Sequence, residues 1–154
     1  MGEAAEVTIA APLRAGRLVF VRRALAILAG AVFIYAGALK LRDPVAFASD
    51  VTNYQIIPWA AAVRLAFYLP WLELVCGLAL VFNRLVQGAL LLTGGLMVIF
   101  IGASISARVR GIDISCGCFG SASDKLGFTW HLVLDFLLLG VLVALWFWPR
   151  PAEE

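Results

Sequence analysis

Charge is scarce in this chain. Asp, Glu, Lys and Arg make up 14% of its 154 residues, while 63% are hydrophobic and mean hydropathy is +0.97. A soluble domain is nearer a quarter charged, so a water-exposed catalytic domain is excluded as the bulk of the chain. The few charges nearly cancel, at net +2. The basic residues sit mainly at the ends of apolar runs and form no patch suited to nucleic acid. Histidine is reduced to one residue, His131, and cysteine to three. A soft metal wants more ligands than a cysteine pair supplies, and His131 stands well downstream of Cys118, so no metal centre is expected. There is no internal repeat and no low-complexity tract.

Long apolar runs are abundant. Arg23–Leu39, Leu65–Phe82, Leu85–Ala107 and Thr129–Trp148 each approach the length needed to cross a bilayer, which is about 20 residues. The expected fold is therefore an all-α membrane protein, a bundle of four transmembrane helices over residues 14–150. Residues 1–13 are expected to be a disordered tail, and 151–154 a short C-terminal one. The first run is short, has a basic leader and ends in Ala36-Gly37-Ala38, which resembles a signal-peptidase site. Tyr35 and Lys40 around that site favour a retained helix.

Between the first two spans, Asp43 can cap a helix that opens with Pro44. Pro44–Tyr54 then predicts a short amphipathic helix at the membrane interface, with Val45, Phe47, Ala48 and Val51 inward and Asp50 and Asn53 outward. Tyr54, Trp59 and Tyr68 are aromatic anchors at that level, and Pro58 ends the segment. Pro70 is placed to kink the second span. Asn83-Arg84 predicts a tight turn between spans two and three. Gly102 and Ser106 form a small-xxx-small pair suited to close helix contact.

Orientation depends on Lys and Arg beside the spans. Six lie on each side. The first helix usually dominates, and its leader, with Arg14, Arg17, Arg22 and Arg23, is the most basic segment. Both termini are thus expected in the cytoplasm of a bacterial cell, with the connection at 108–128 on the outer face of the inner membrane.

That connection holds Cys116-Gly117-Cys118. The pair can close to a disulfide if the backbone turns at Gly117. A small, strained, exposed disulfide is oxidising and labile, and disulfides persist outside the cytoplasm. Catalytic or regulatory thiol exchange is therefore weighed against a structural clip and against a metal site. Glu73 and Asp135 are ionisable residues inside spans, where such groups are costly and face the bundle interior or a wet cavity. At helical rise they lie roughly 13 Å and 9 Å below the outer surface. Tyr35 and His131 fall in the same outer half, and His131 shares a helix face with Asp135. All four are candidates for a site beneath the cysteines. The carboxyls could relay the protons that thiol oxidation releases, or they could be interhelical hydrogen bonds or partners of Lys40 or Arg64. Cys76, deeper on the second span, reads as a small hydrophobe, with exchange with Cys116 or Cys118 as the alternative.

The run Tyr35-Ala-Gly-Ala-Leu-Lys40-Leu-Arg-Asp-Pro44, then Asn53-Tyr54-Gln55 with Pro58, then Pro70-Trp-Leu-Glu73 with Gly77, then Asp113-Ile-Ser-Cys116-Gly-Cys118-Phe119-Gly120 resembles the methylamine utilisation protein MauE family, within the broader DoxX/DoxD-like membrane proteins. The resemblance covers roughly residues 25–145, and the Cys-Gly-Cys-Phe-Gly element is its most specific part. It implies a four-helix membrane protein linked to periplasmic redox maturation, in which relatives are thought to help form the disulfides of the methylamine dehydrogenase small subunit. The expected activity is thiol–disulfide exchange with a periplasmic redox or substrate protein, electrons passing to a quinone or to a second redox protein. The alternatives are a non-enzymatic assembly factor and a small metal or solute carrier. Membrane lipid is an expected partner; nucleic acid is not.

Overall fold

A computed structural model describes residues 3–112 and 128–148, with side chains from residue 16 onward except at 128 and 131. Among the described residues are five α-helices and no strand: α1 (Glu3–Arg42), α2 (Pro44–Asn53), α3 (Trp59–Val81), α4 (Val86–Val109) and α5 (Phe128–Phe147). Three of them, α1 over Gly16–Arg42, α3 and α4, are long and apolar enough to cross a membrane. α5 carries a further apolar stretch, Leu132–Phe147. The helices outrun the apolar blocks of the sequence. α1 is already helical at Glu3, well ahead of Arg23, and α3 opens at Trp59 rather than Leu65. Helical hydrogen bonding continues through flanking residues that lie outside the apolar blocks.

The most extensive packing is between α1 and α3. α1 buries Ala26, Ala29, Gly30, Phe33, Ala36, Gly37 and Lys40, the three-and-four spacing of one helix face. Small residues on that face let two backbones meet. A Cβ on Gly30 would stand 2.6 Å from the Gly77 carbonyl oxygen, and one on Gly37 would stand 2.8 Å from that of Pro70. The two helices therefore touch backbone to backbone at two levels, running antiparallel. Association in lipid rests on such van der Waals contact, because lipid tails are as apolar as the helices.

This corrects the sequence expectation for α4. Gly102 has nothing within 4 Å of an added Cβ and is exposed, as is Ser106. The small-residue pattern is present there, but α4 turns it outward. The close crossing uses glycines of α1 and α3 instead. Pro70 is buried at that crossing, and α3 runs on through it to Val81.

Turns follow local chemistry. α3 ends with Asn83 in the left-handed region at φ 58°, where Arg84 N–H donates to Ala79 O at 2.9 Å and Asn83 N–H to Leu80 O at 3.3 Å. α4 ends the same way on Gly111 at φ 70°, with Ile112 N–H on Ala107 O at 3.0 Å and Gly111 N–H on Arg108 O at 3.1 Å. Both are Schellman endings built on residues that tolerate positive φ. Arg23 of α1 reinforces the first, donating to Leu80 O at 3.3 Å and Val81 O at 2.5 Å. The guanidinium thus gives Val81 O a donor and adds one to Leu80 O, which already accepts from Asn83 N–H.

α2 is capped as its sequence predicts: Asp43 Oδ1 accepts from Ala46 N–H at 2.8 Å, with Pro44 opening the helix. Its inward face needs one correction. Phe47 and Ala48 are buried and Val51 packs beside them, but Val45 points outward. Two residues before Phe47 is nearly the opposite side of an α-helix. Tyr54 is buried rather than placed among exposed anchors, whereas Trp59 and Tyr68 are exposed. Beside Tyr54, Gln55 adopts φ 53°. Arg110, at the end of α4, holds this corner by donating to Tyr54 O at 2.6 Å. The chain therefore leaves α4 next to the α2–α3 junction.

Candidate functional site

Four described helices deliver polar or aromatic side chains to one buried point, and α5 completes its wall. The last turn of α1 supplies Lys40, and α3 supplies Glu73. Lys40 Nζ donates to Glu73 Oε1 at 2.5 Å, and the two side chains are 2% and 3% exposed. The ammonium also stands 5.2 Å from the centroid of Phe47 on α2 and 5.1 Å from that of Phe100 on α4. Two ring faces and one carboxylate thus surround a single positive charge. Each ring attracts a desolvated cation by about 0.5–2 kcal/mol.

Glu73 uses one oxygen. Oε2 is buried and has no hydrogen-bond partner among the described residues. Glu73 lines a small cavity of about 20 Å³ whose wall also includes Lys40, Ala36, Met97, Phe100 and Asp135. Asp135 of α5 is buried at 1% exposure. Glu73 and Asp135, expected to converge from their depths alone, therefore share one cavity. A buried ion pair is weak evidence for added stability, because the desolvation of both charges offsets their attraction. Ionisable groups kept inside a membrane bundle instead point to a functional site.

The other candidate residues divide. Tyr35 is 55% exposed on α1 and lies off this cavity wall. His131 belongs to α5, but its side chain lies outside the described residues. Cys116 and Cys118 also lie outside them. Cys76 is a free, buried cysteine in the hydrophobic core with Phe33, Leu80 and Met97. Arg64 is exposed, and the partner of Glu73 is Lys40.

Sequence reasoning did not give Lys40, Phe47 and Phe100 a joint role. The signal for Lys40 was its position directly after a long apolar run, in helical phase with Phe33, Ala36 and Gly37. Nothing local marks Phe100, because a phenylalanine amid an apolar helix is ordinary.

Residues 17–149 match the family model described as Methylamine utilisation protein MauE. The chain is 32% identical over 120 residues to "Methylamine utilization protein MauE" of Paracoccus denitrificans, covering 77% of this chain and 64% of that protein. It is 36% identical over 115 residues to "Methylamine utilization protein MauE" of Methylophilus methylotrophus, covering 72% of this chain and 60% of that one. The chain thus spans less than two thirds of the length of these relatives. No solved structure matches it. With three apolar helices of membrane-spanning length and a family match over most of its residues, the chain belongs to the methylamine utilisation protein MauE family.

Proposed function

We propose that this membrane protein supports thiol–disulfide exchange in the maturation of proteins outside the cytoplasm, in the setting of methylamine utilisation that its relatives' names give. In this reading α5 is a fourth span, α2 lies at the interface, both termini are cytoplasmic and the cysteine connection faces the periplasm across a bacterial inner membrane. Cys116 and Cys118 are the working pair. Attack by a partner thiolate on their disulfide forms a mixed disulfide; a second partner thiol resolves it. The partner gains a disulfide and Cys116 and Cys118 become thiols. Their reoxidation passes two electrons and two protons to an acceptor. A membrane quinone fits that role, as does a second redox protein.

The observation that carries this reading is the buried Lys40–Glu73 pair sharing a cavity with Asp135. It occupies the end of the bundle where α1 gives way to α2, and Arg110 ties the end of α4 to the α2–α3 junction. Chemistry that oxidises thiols beside an apolar bundle needs groups that accept and pass protons. Buried carboxyls with one ammonium supply them, and general acid–base groups of this kind contribute typically about 10²–10⁴-fold to rate.

The test is mixed-disulfide trapping. With the partner supplied in its disulfide form, Cys118→Ser is expected to leave Cys116 covalently joined to it by the reverse exchange, in which the lone thiolate attacks the partner's disulfide and no second thiol of the pair resolves the product; Cys116→Ser gives the same trap if Cys118 is the exchanging thiol. The product is a band on a non-reducing gel that collapses with reductant. If neither single variant traps a partner, and the double Ser variant still supports full maturation of the partner's disulfides, Cys116 and Cys118 are not the working thiols. The chain would then act as an assembly factor.

A further inference from the structure

Two cavities meet at Lys40. Besides the buried one, a larger vestibule of about 310 Å³ lies at the α1–α2 junction, where Arg42, Asp43 and Ala46 are exposed. Lys40 lines both. Phe47 belongs to the vestibule wall and Phe100 to the inner wall, and they flank the ammonium at 5.2 and 5.1 Å. Lys40 is therefore the partition between the surface and the carboxyl site.

The inner cavity has the size and lining of a water site. A single water needs about 10–15 Å³ of accessible space and two to four polar partners. The cavity offers about 20 Å³ and is lined by Lys40, Asp135 and Glu73, whose Oε2 is buried without a hydrogen-bond partner among the described residues. Cavities that stay dry are apolar. Lipid cannot satisfy a buried carboxylate oxygen.

We propose that one water occupies this cavity, hydrogen-bonded to Glu73 Oε2, and that Lys40 is the side chain that gates its exchange with vestibule water. The Lys40–Glu73 pair and the two flanking rings close the passage, and the buried water faces Asp135. This deepens the proton-handling part of the proposed function and rests on it for its use. The water itself does not depend on thiol chemistry and is tested without it.

The test is X-ray radiolytic footprinting of the full chain in lipid nanodiscs. The pulse turns water in place into hydroxyl radicals, which oxidise side chains they touch. Met97 lines the cavity and is 6% exposed; Cys76, at 3%, is in the same core but off the cavity wall. Met97 should be oxidised and Cys76 spared, and Ala36→Val, which fills the cavity, should abolish Met97 oxidation. Equal sparing of both sulfurs, or Met97 oxidation that persists in Ala36→Val, overturns the water. Mixing into heavy-oxygen water before the pulse times the exchange. The charge-balanced variant Lys40→Leu/Glu73→Gln should change the rate at which heavy oxygen reaches Met97. Ala46→Leu, on the exposed vestibule wall, should slow it without touching the pair and serves if the first variant does not fold. An unchanged rate overturns the role given to Lys40. Loss of thiol turnover with the water intact would instead count against the proposed redox function alone.

Discussion

Lys40→Met removes the ammonium and keeps most of the stem. In the native bundle that ammonium is the hydrogen-bond partner of Glu73 Oε1, while Oε2 has none among the described residues. The variant leaves both oxygens of a buried carboxylate without the contact that compensates their desolvation. Breaking a buried pair in this way costs about 3–5 kcal/mol. Loss of the two ring contacts adds to it by about 0.5–2 kcal/mol each. At about 1.4 kcal/mol per factor of ten, the folded-to-unfolded ratio should fall by at least roughly a hundredfold. Lys40→Met/Glu73→Leu removes both charges. Replacing a whole buried pair with apolar groups of similar volume is often neutral, or stabilising by about 1–4 kcal/mol, so the double variant should recover most of the loss. The assay is reversible unfolding of purified protein in mixed micelles, with wild type, both single variants and the double forming a cycle. A Lys40→Met variant within about 1 kcal/mol of wild type, the usual scale for an exposed pair, would refute the claim that the pair is buried and strongly coupled. A double variant as unstable as the single would refute it equally.

The same unfolding assay separates two glycines: Gly77→Ala puts a Cβ 2.7 Å from the Gly30 carbonyl oxygen and should destabilise by about 1–3 kcal/mol, whereas Gly95→Ala meets open space and should be neutral or stabilising by up to about 1 kcal/mol. Glu73→Gln removes the ionisable group and leaves the buried Lys40 ammonium only an amide oxygen, so stability should fall by up to the about 3–5 kcal/mol of a broken buried pair and thiol turnover per folded molecule should fall as well; Asp135→Asn should lower turnover likewise, and normal turnover in the double substitution would end the relay. A membrane-impermeant thiol reagent should label reduced Cys116 or Cys118 in intact spheroplasts, and labelling only after lysis would reverse the proposed orientation.

Several features were legible because their cause is local. Asp43-Pro44 starts α2, and Asn83 supplies the left-handed residue of the α3–α4 turn. These depend on backbone preferences that a short window contains. The convergence of Glu73 and Asp135 was also legible, because depth along a helix follows from residue count. Azimuth was not. Val45 and Phe47 are both apolar and only two residues apart, yet they face opposite ways. Gly102 and Ser106 have the spacing of a packing motif, but nothing in α4 alone says which side meets a neighbour. Small residues therefore pointed to the wrong crossing, while Gly30, Gly37 and Gly77 supplied the real one. Tyr35 has the depth of the site but faces away from the cavity for the same reason. The ring pair around Lys40 comes from α2 and α4, so it exists only once those two helices meet α1.

In the proposed function Cys116 and Cys118 cycle between disulfide and dithiol above the proton-handling pair. Alkylation trapping of their redox state in isolated membranes, after reduction, with and without added quinone, measures that cycle. The cysteines should stay reduced without an acceptor, become oxidised when quinone is supplied, and do so more slowly in Glu73→Gln. A pair fixed in one state under both conditions, in wild type and variant alike, would contradict it.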